Sequence, residues 1–292
     1  MSDRAKAEAL LAVVIPASNE AGHIGACLDA LLASDAAAGR VGVIVAANGC
    51  RDATAALART RTHRAAARGW VLLVLDIDRG SKPHALNVAE EALDRGCFGA
   101  APDVRIYLDA DVEADPALVG QLRAALDRPT PAYAAGTLQV APARSRASRA
   151  YARIWTRLPF MRAGGVPGAG LFAVNAAGRA RWGVFPDIIS DDTYVRLMFS
   201  PDERIGVPAP YLWPVAEGFA RLVRVRRRQD AGVADIARRW PGLLANEAKP
   251  ALGLRGLLGL ILRHPADFAV YAAVAAAVRL APRPRQGWSR GR

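Results

Sequence analysis

Lysine is scarce in this sequence: only Lys6, Lys82 and Lys249 stand among 39 basic side chains in 292 residues. Arginine takes the other positions, so an internal lysine such as Lys82 stands out. Cysteine is scarce as well. Cys27, Cys50 and Cys97 are an odd set without CxxC or metal-ligand spacing, which argues against a disulfide framework and fits a reducing cytosol. The four histidines, His23, His63, His84 and His264, have no metal-like spacing either. Long apolar runs are missing. The longest uncharged one is Phe268–Val278, and Ala251–Leu262 is interrupted by Arg255 and cut off by Arg263-His264-Pro265. A bilayer-spanning helix needs about 20 apolar residues, so neither run spans alone. Each reads either as an interfacial helix, with apolar side chains beside arginine, or as an ordinary core-packing helix. Near the N-terminus, Ala9–Pro16 is too short for a signal peptide and lacks a cleavage site, and it reads as a first strand.

Apolar residues make up 52% of the chain and charged residues 23%, enough to bury a full core and to exclude disordered and fibrous classes. The net charge of +12 is unevenly spread. Residues 1–140 carry 14 basic and 17 acidic side chains, while residues 141–292 carry 25 and 10. A basic half raises the question of nucleic acid, but there are no interleaved aromatics and no recognisable binding module. The two halves are expected to have different jobs.

The first 140 residues alternate apolar strands and helical segments. Strands are expected at Leu11–Pro16, Val41–Ala46, Val71–Asp76 and Val104–Leu108. Helices are expected over Glu20–Ser34, over Asp52–Arg68 with Asp52 as cap, from Ser81 to about Arg95, and from Asp115-Pro116 onward. Strands apolar on both faces, each followed by a helix, predict an α/β fold with a mostly parallel twisted sheet covered on both sides. Such sheets bind ligands beyond the carboxyl ends of their strands. The polar clusters lie there: Ser18-Asn19-Glu20, Asn48–Asp52, Asp76–Lys82 and Asp109–Asp111. After residue 140 the pattern loosens into a basic helix over Arg144–Leu158, a glycine-rich stretch Gly164–Gly170, a strand Leu171–Asn175, a short helix Asp191–Phe199 and an arginine run Arg221–Arg228. The tail after Pro282 reads as a disordered basic end.

The chemistry centres on Asp109-Ala110-Asp111, directly after an apolar strand. In extended backbone, residues i and i+2 point the same way, so both carboxylates can reach one cation. Hard oxygen donors suit Mg²⁺ or Mn²⁺, with a diphosphate supplying further oxygens. Asp191-Asp192 is a second acidic pair: like charge can raise the pKa of one member for general-base work, while either can cap a helix. Gly168-Ala169-Gly170-Leu171-Phe172-Ala173 matches a dinucleotide fingerprint with Asp187 downstream, but a strand follows where a helix is required, so a flexible loop fits better. Trp155, Trp182 and Trp213 read either as core or as stacking platforms for a ligand.

Five of these segments together resemble the family 2 glycosyltransferases, which have the nucleotide-diphospho-sugar transferase (GT-A) fold. They are Val13–Glu20, Asn48–Thr54, Gly80–Asn87, Asp109–Asp111 and Ile189–Tyr194. The resemblance spans about residues 10–230. It implies a catalytic domain over 1–230, with a nucleotide and metal half at 1–115 and an acceptor half at 116–230. A helical, basic, membrane-associated extension would cover 231–292. By the same resemblance, Pro16, Ser18, Glu20 and Asn48 lie at the nucleotide, Lys82 near the donor phosphates, and Asn87 as a supporting polar group. Asp109 would serve the ribose or a metal-bound water, Asp111 would ligate Mn²⁺ or Mg²⁺, and Asp192 would be the catalytic base with Asp191 as its neighbour. Arg226, Arg227 and Arg228 are candidates for the phosphates, and Gly168 and Gly170 for the acceptor loop.

The implied reaction is inverting, non-processive sugar transfer from a UDP- or GDP-sugar to an acceptor hydroxyl, including a lipid-linked one. The nucleotide-sugar donor and the hydroxyl acceptor are the expected partners, an anionic membrane surface is a further candidate and nucleic acid is not; the expected location is the cytoplasm, with a peripheral seat on the cytoplasmic face of the membrane as the variant if the C-terminal runs are interfacial. Two departures stand out. Many members carry an aspartate at the end of the second strand, where this chain has Ala46, Ala47 and Asn48. The aromatic-containing motif of processive members is missing from Arg224–Gln229. The alternative reading, a nucleotidyltransferase acting on a sugar phosphate, usually has a basic, glycine-rich loop after the first strand; here that loop is Ala17-Ser18-Asn19-Glu20.

Overall fold

The computed structural model describes residues 9–162, 166–248 and 250–280. Gly164 and Gly165 of the glycine-rich stretch, and the tail after Pro282, lie outside the described residues. The chain divides into two compact units. The first comprises 1–139, 168–187 and 198–213; the second comprises 140–167, 188–197 and 214–292.

The first unit is built on one eight-stranded sheet in the order β3-β2-β1-β4-β7-β6-β8-β5. Its strands are β1 (Leu11–Ala17), β2 (Val41–Asn48), β3 (Val71–Ile77), β4 (Val104–Leu108), β5 (Glu113–Ala114), β6 (Tyr133–Val140), β7 (Leu171–Asn175) and β8 (Arg204–Trp213). β3, β2, β1 and β4 run parallel, with Ala17 opposite Ala47, Asn48 opposite Ile77 and Val14 opposite Tyr107. All of β2 and β4 is buried, the expected signature of a sheet covered on both faces. Beyond β4 the sheet turns antiparallel through β7 and β6, and β5 pairs antiparallel with β8. The parallel part is therefore the first four sheet strands, and the other half is mixed in.

The helices of this unit longer than four residues are α1 (Ile24–Leu31), α2 (Thr54–Arg59), α3 (Thr62–Ala67), α4 (Lys82–Asp94) and α5 (Leu118–Leu126). The single helix expected over Asp52–Arg68 is broken into α2 and α3. At the break, the Thr60 hydroxyl donates back to Leu57 O at 2.7 Å, the local competition with helix hydrogen bonds that threonine offers. Asp115 does not begin its helix. Its carboxylate accepts from Ala117 N at 2.9 Å, and α5 starts at Leu118. Ser81 caps α4 as expected, accepting from His84 N at 3.4 Å with Pro83 in the first turn.

α4 is tied to the sheet by a buried ionic cluster. Glu90 Oε2 accepts from Arg105 Nε and Arg179 Nε, each at 3.0 Å, and Oε1 accepts from Tyr107 Oη at 2.7 Å. Burial, and then the Glu90 charge, push the Tyr107 phenol well above its usual pKa, so it stays protonated and donates. Arg179 also lies over the Trp182 ring, 4.8 Å from its centroid.

Among the described residues, the helices of the second unit longer than four residues are α6 (Arg146–Trp155), α7 (Asp191–Leu197), α8 (Phe219–Arg239), α9 (Gly253–Arg263) and α10 (Pro265–Leu280). Tyr151, Leu222 and Val274 form its small core, joined by Trp155, Val223, Tyr271 and Val278. Tyr151 stacks on Tyr271 with centroids 5.2 Å apart, and Arg153 forks onto Asp267 at 2.6 and 2.5 Å. These contacts fix α10 to α6 and α8. A domain boundary at residue 230 falls inside the continuous helix α8.

Candidate functional site

Four loops leave the carboxyl ends of β1 to β4 and are knitted together. Asn19, with φ at 57°, turns the first loop and accepts from Arg51 N at 2.8 Å. Glu20 N donates to Thr54 Oγ1 at 2.7 Å, and Ala21 N to Asp52 Oδ2 at 3.1 Å. Asp52 is thus a brace between loops one and two; its Oδ1 accepts from Thr54 N at 3.0 Å, but the N-cap of α2 is Ala53 and not Asp52 as expected. Gly49, at φ 54°, presses against the third loop: a Cβ there would stand 2.6 Å from Gly80 Cα. Only glycine combines this positive φ with so close a backbone approach.

The third and fourth loops meet through an ion pair. Lys82, the first residue of α4, places Nζ 2.8 Å from Asp109 Oδ1, both side chains about one-third exposed. The chain's rare internal lysine therefore faces its acidic motif. Asp109 lies just beyond β4, and Val112 N donates to Asp109 O at 3.1 Å. That bond makes Asp109–Val112 a tight turn, so the expected extended-backbone alternation does not apply to these two carboxylates. Asp111 sits in the turn, half-buried.

The turn rests on the glycine-rich segment. Asp109 N donates to Gly170 O at 2.8 Å, and Tyr211 Oη donates to Ala169 O at 3.0 Å. Gly168 and Gly170 both have positive φ, and a Cβ on Gly170 would stand 2.5 Å from Trp213 Cδ1 and 2.9 Å from Val112 Cγ2. Gly170 thus backs the acidic turn with Trp213, at the end of β8, beside it, while Gly168 packs toward Tyr133 and Phe172. On the other side, the Cys27 thiol lies 3.7 Å from Asp109 O. Burial pushes this thiol strongly up in pKa, and the charges of Asp109, Glu113 and Glu20 push it further. Cys27 is therefore a protonated core group, and the neighbourhood is strongly negative.

That donor set fits a hard divalent cation held by one or two carboxylates and completed by phosphate and water. No group of three or more His, Cys, Asp or Glu side chains forms a full protein cage among the described residues, so a cation here would depend on further oxygens from a ligand.

The other expected site residues fall in different places. Pro16 and Ser18 lie half-buried at the end of β1. Asn48 is only 2% exposed and donates to Ala17 O at 3.0 Å and Ala46 O at 3.2 Å. It ties the ends of β1 and β2 together and does not offer its amide donors to a base. Asn87 is likewise committed, exchanging two hydrogen bonds with the Phe185 backbone at 2.9 and 2.6 Å. Arg226 binds Asp230 at 2.9 Å and Tyr151 Oη at 3.3 Å, so its guanidinium serves the second unit. Arg227 and Arg228 are half-buried on the same helix.

Within the second unit, Asp191 is buried and Asp192 half-buried in the first turn of α7. α7 is firmly held. Tyr194 packs on Trp240 at 4.9 Å, Arg196 Nη2 lies 2.9 Å from both Glu247 oxygens, and Asn246 Nδ2 donates to Leu197 O at 2.9 Å. A Cβ on Gly232 would collide with Ser190 Oγ, so α8 approaches the acidic pair closely. Sequence reasoning gave Asp52 a capping role and not that of a brace, and gave none to Gly232 or to Tyr211. Of the tryptophans, Trp182 is 6% exposed against Phe185 and Trp155 packs into the second core, while Trp213 flanks the acidic turn.

Solved structures with the same architecture are glycosyltransferases of the GT-A fold. One is a mannosyltransferase from Pyrobaculum calidifontis in complex with GDP-Man and Mn²⁺, 22% identical, matched over 93% of this chain and 76% of that one at a TM-score of 0.54. Another is glucosyl-3-phosphoglycerate synthase from Mycobacterium tuberculosis in complex with Mn²⁺, uridine diphosphate and glucosyl-3-phosphoglycerate. It is 20% identical, matched over 81% of this chain and 82% of that one at a TM-score of 0.51. No curated protein matches the chain in sequence. The model of the "Glycosyltransferase like family 2" family matches residues 8–167. That stretch is more than half of the chain and includes all four loops at the carboxyl edge of β1 to β4, and the chain accordingly belongs to glycosyltransferase family 2.

Proposed function

We propose that this glycosyltransferase moves a sugar from a UDP- or GDP-sugar to an acceptor hydroxyl, with inversion, one transfer at a time and with the help of Mn²⁺ or Mg²⁺. The observation that carries the reading is the junction at the carboxyl edge of β1 to β4, where Lys82 meets Asp109 beside Asp111. In this reading Ser18, Glu20 and the braced loop around Asp52 form the nucleotide wall. Asp111 is the metal ligand, with Asp109 held in place by Lys82. The cation, when bound, neutralises the leaving diphosphate as a Lewis acid. Lys82 adds a fixed positive charge where negative charge develops on the phosphates. Trp213 offers an aromatic face to the sugar.

Asp192 takes the role of base and accepts the proton of the acceptor hydroxyl. Its support is its place as second acid of Ser190-Asp191-Asp192, on a helix that Trp240, Glu247 and Asn246 hold still. One base acting opposite the leaving group inverts the anomeric centre, the logic of single displacement in inverting hydrolases. The acceptor class includes lipid-linked saccharides, with the enzyme peripheral on the cytoplasmic face of a membrane. The catalytic domain ends with α8, and α9 and α10 form the extension.

The test is Asp192→Asn. Transfer is expected to fall by about 10²- to 10⁴-fold, while Mn²⁺-dependent binding of nucleoside diphosphate is retained in a calorimetric titration. Full transfer activity in that variant contradicts the base assignment.

A further inference from the structure

Helix α9 is the least protein-covered apolar element of the second unit. None of its residues is buried. Leu254, Leu258 and Leu262 are spaced four apart and fall on one side of the helix, yet they are 72%, 49% and 79% exposed. Leu257, Leu260 and Ile261 are half-buried, whereas this leucine stripe is left uncovered. Its neighbour α10 is different: Val274 is fully buried, Tyr271 stacks on Tyr151 and Asp267 is gripped by Arg153. Protein contacts account for α10 and leave α9 open.

The charges beside this face have one sign. Arg255 adjoins the leucine stripe on the helical wheel, and Arg263 stands on the opposite, polar side. No acidic residue occurs between Glu247 and Asp267. Both of those acids are paired, Glu247 with Arg196 and Asp267 with Arg153. The second unit as a whole holds 22 basic and seven acidic residues, for +15. A leucine face edged by arginine, in a positively charged unit, is complementary to an anionic lipid surface: acyl chains take the leucines and headgroups take the guanidinium groups.

The geometry sets the depth. α9 has 11 residues, about 16 Å of helix, against a hydrocarbon core of about 30 Å. No single helix among the described residues is long and apolar enough to cross a membrane. The α9–α10 pair has the composition but bends by 119° at the break. We propose that α9 lies in the plane of an anionic membrane with Leu254, Leu258 and Leu262 inserted and Arg255 and Arg263 at headgroup level. This deepens the reading of a lipid-borne acceptor and rests on that reading only for its purpose. The residues that hold the Asp191-Asp192 helix, Trp240, Asn246 and Glu247, directly precede α9 in the chain, so a membrane that fixes α9 lies close in sequence to the proposed base.

The test uses the full chain and reads binding, not turnover, so it fails or succeeds independently of the transfer chemistry. The wild type is expected to sediment with vesicles of phosphatidylcholine mixed with phosphatidylglycerol at low salt, and weakly with phosphatidylcholine alone. Replacing Leu254, Leu258 and Leu262 together with serine is expected to reduce sedimentation by about tenfold or more. Its melting temperature and its nucleotide binding should stay unchanged, because no α9 residue is buried. Arg255→Gln with Arg263→Gln keeps the apolar face and is expected to lower binding only to the anionic vesicles. The proposal is overturned if the triple variant sediments like wild type or if wild type sediments with neither vesicle. It is equally overturned if the triple variant's sole effect is to abolish a dimer seen by light scattering, which would make a second copy of the chain the occupant.

Discussion

At the scale of single residues, the sequence drew attention to Lys82 and to Asp109 but not to the backbone partners that the neighbouring amides take. Lys82 was noticed because lysine is rare here, and it does pair with Asp109. Asn48 and Asn87 lie in the expected motifs, but the Asn48 amide nitrogen and both polar atoms of Asn87 bond to backbone partners, while Asn48 Oδ1 is buried without a partner among the described residues. A motif shows which residues gather at a strand end. It does not tell which of them spend their hydrogen bonds on the fold, since buried backbone groups must be satisfied first. Two predictions follow at this scale. Asp111→Asn is expected to lose Mn²⁺-dependent nucleoside diphosphate binding and transfer together, as read by calorimetry with and without the metal. Asn48→Ala is expected to act mainly on stability, costing about 1–3 kcal/mol through unpaired strand-end carbonyls. Urea denaturation checks that cost, and an unchanged midpoint would return Asn48 to the list of nucleotide contacts.

At the scale of elements, the parallel strands and their helices were readable because apolar runs and capping residues agree there. β6 and β8 were not foreseen. β8 contains Pro208 and Pro210, which argue against a central strand, although its inward residues Val207, Ala209 and Tyr211 alternate and are buried. The same strand delivers Trp213 and Tyr211 to the acidic turn, so part of the site was hidden with it. The Glu90 cluster was also invisible, because its partners Arg105, Tyr107 and Arg179 are scattered in sequence. Glu90→Ala should leave two buried or partly buried guanidinium groups without their shared partner, a loss of about 3–5 kcal/mol, visible as a lower denaturation midpoint. A pH-dependent contribution comes from Glu203, which a forked contact with Arg181, and less strongly the Ser200 amide, hold down at a pKa of about 2 against a usual 4.5. A carboxylate with a depressed folded pKa stabilises the fold above its unfolded pKa, and this is lost as pH falls through the folded value. Glu203→Gln is therefore expected to flatten the decline in stability between about pH 4.5 and 2. Equal acid sensitivity in the two proteins would contradict it.

At the scale of the whole molecule, the uneven charge seen in the sequence maps onto the two units, −3 on the sheet-bearing one and +15 on the helical one. The acidic turn, the loops at the carboxyl edge of β1 to β4 and the rare lysine belong to the first unit; the acidic pair, the arginine helix and the exposed leucine face belong to the second. Excess positive charge was first a hint of nucleic acid, and it is now associated with an uncovered amphipathic helix. The central claim is the chemistry of donor cleavage, and one measurement tests it most directly. The purified chain is incubated with Mn²⁺, a panel of UDP- and GDP-sugars and candidate acceptors, and the phosphorus-containing products are identified. The account predicts release of free nucleoside diphosphate from at least one donor, dependent on Mn²⁺ and lost in Asp111→Asn. Formation of pyrophosphate from a nucleoside triphosphate and a sugar phosphate, with no nucleoside diphosphate released from any sugar donor, would contradict it.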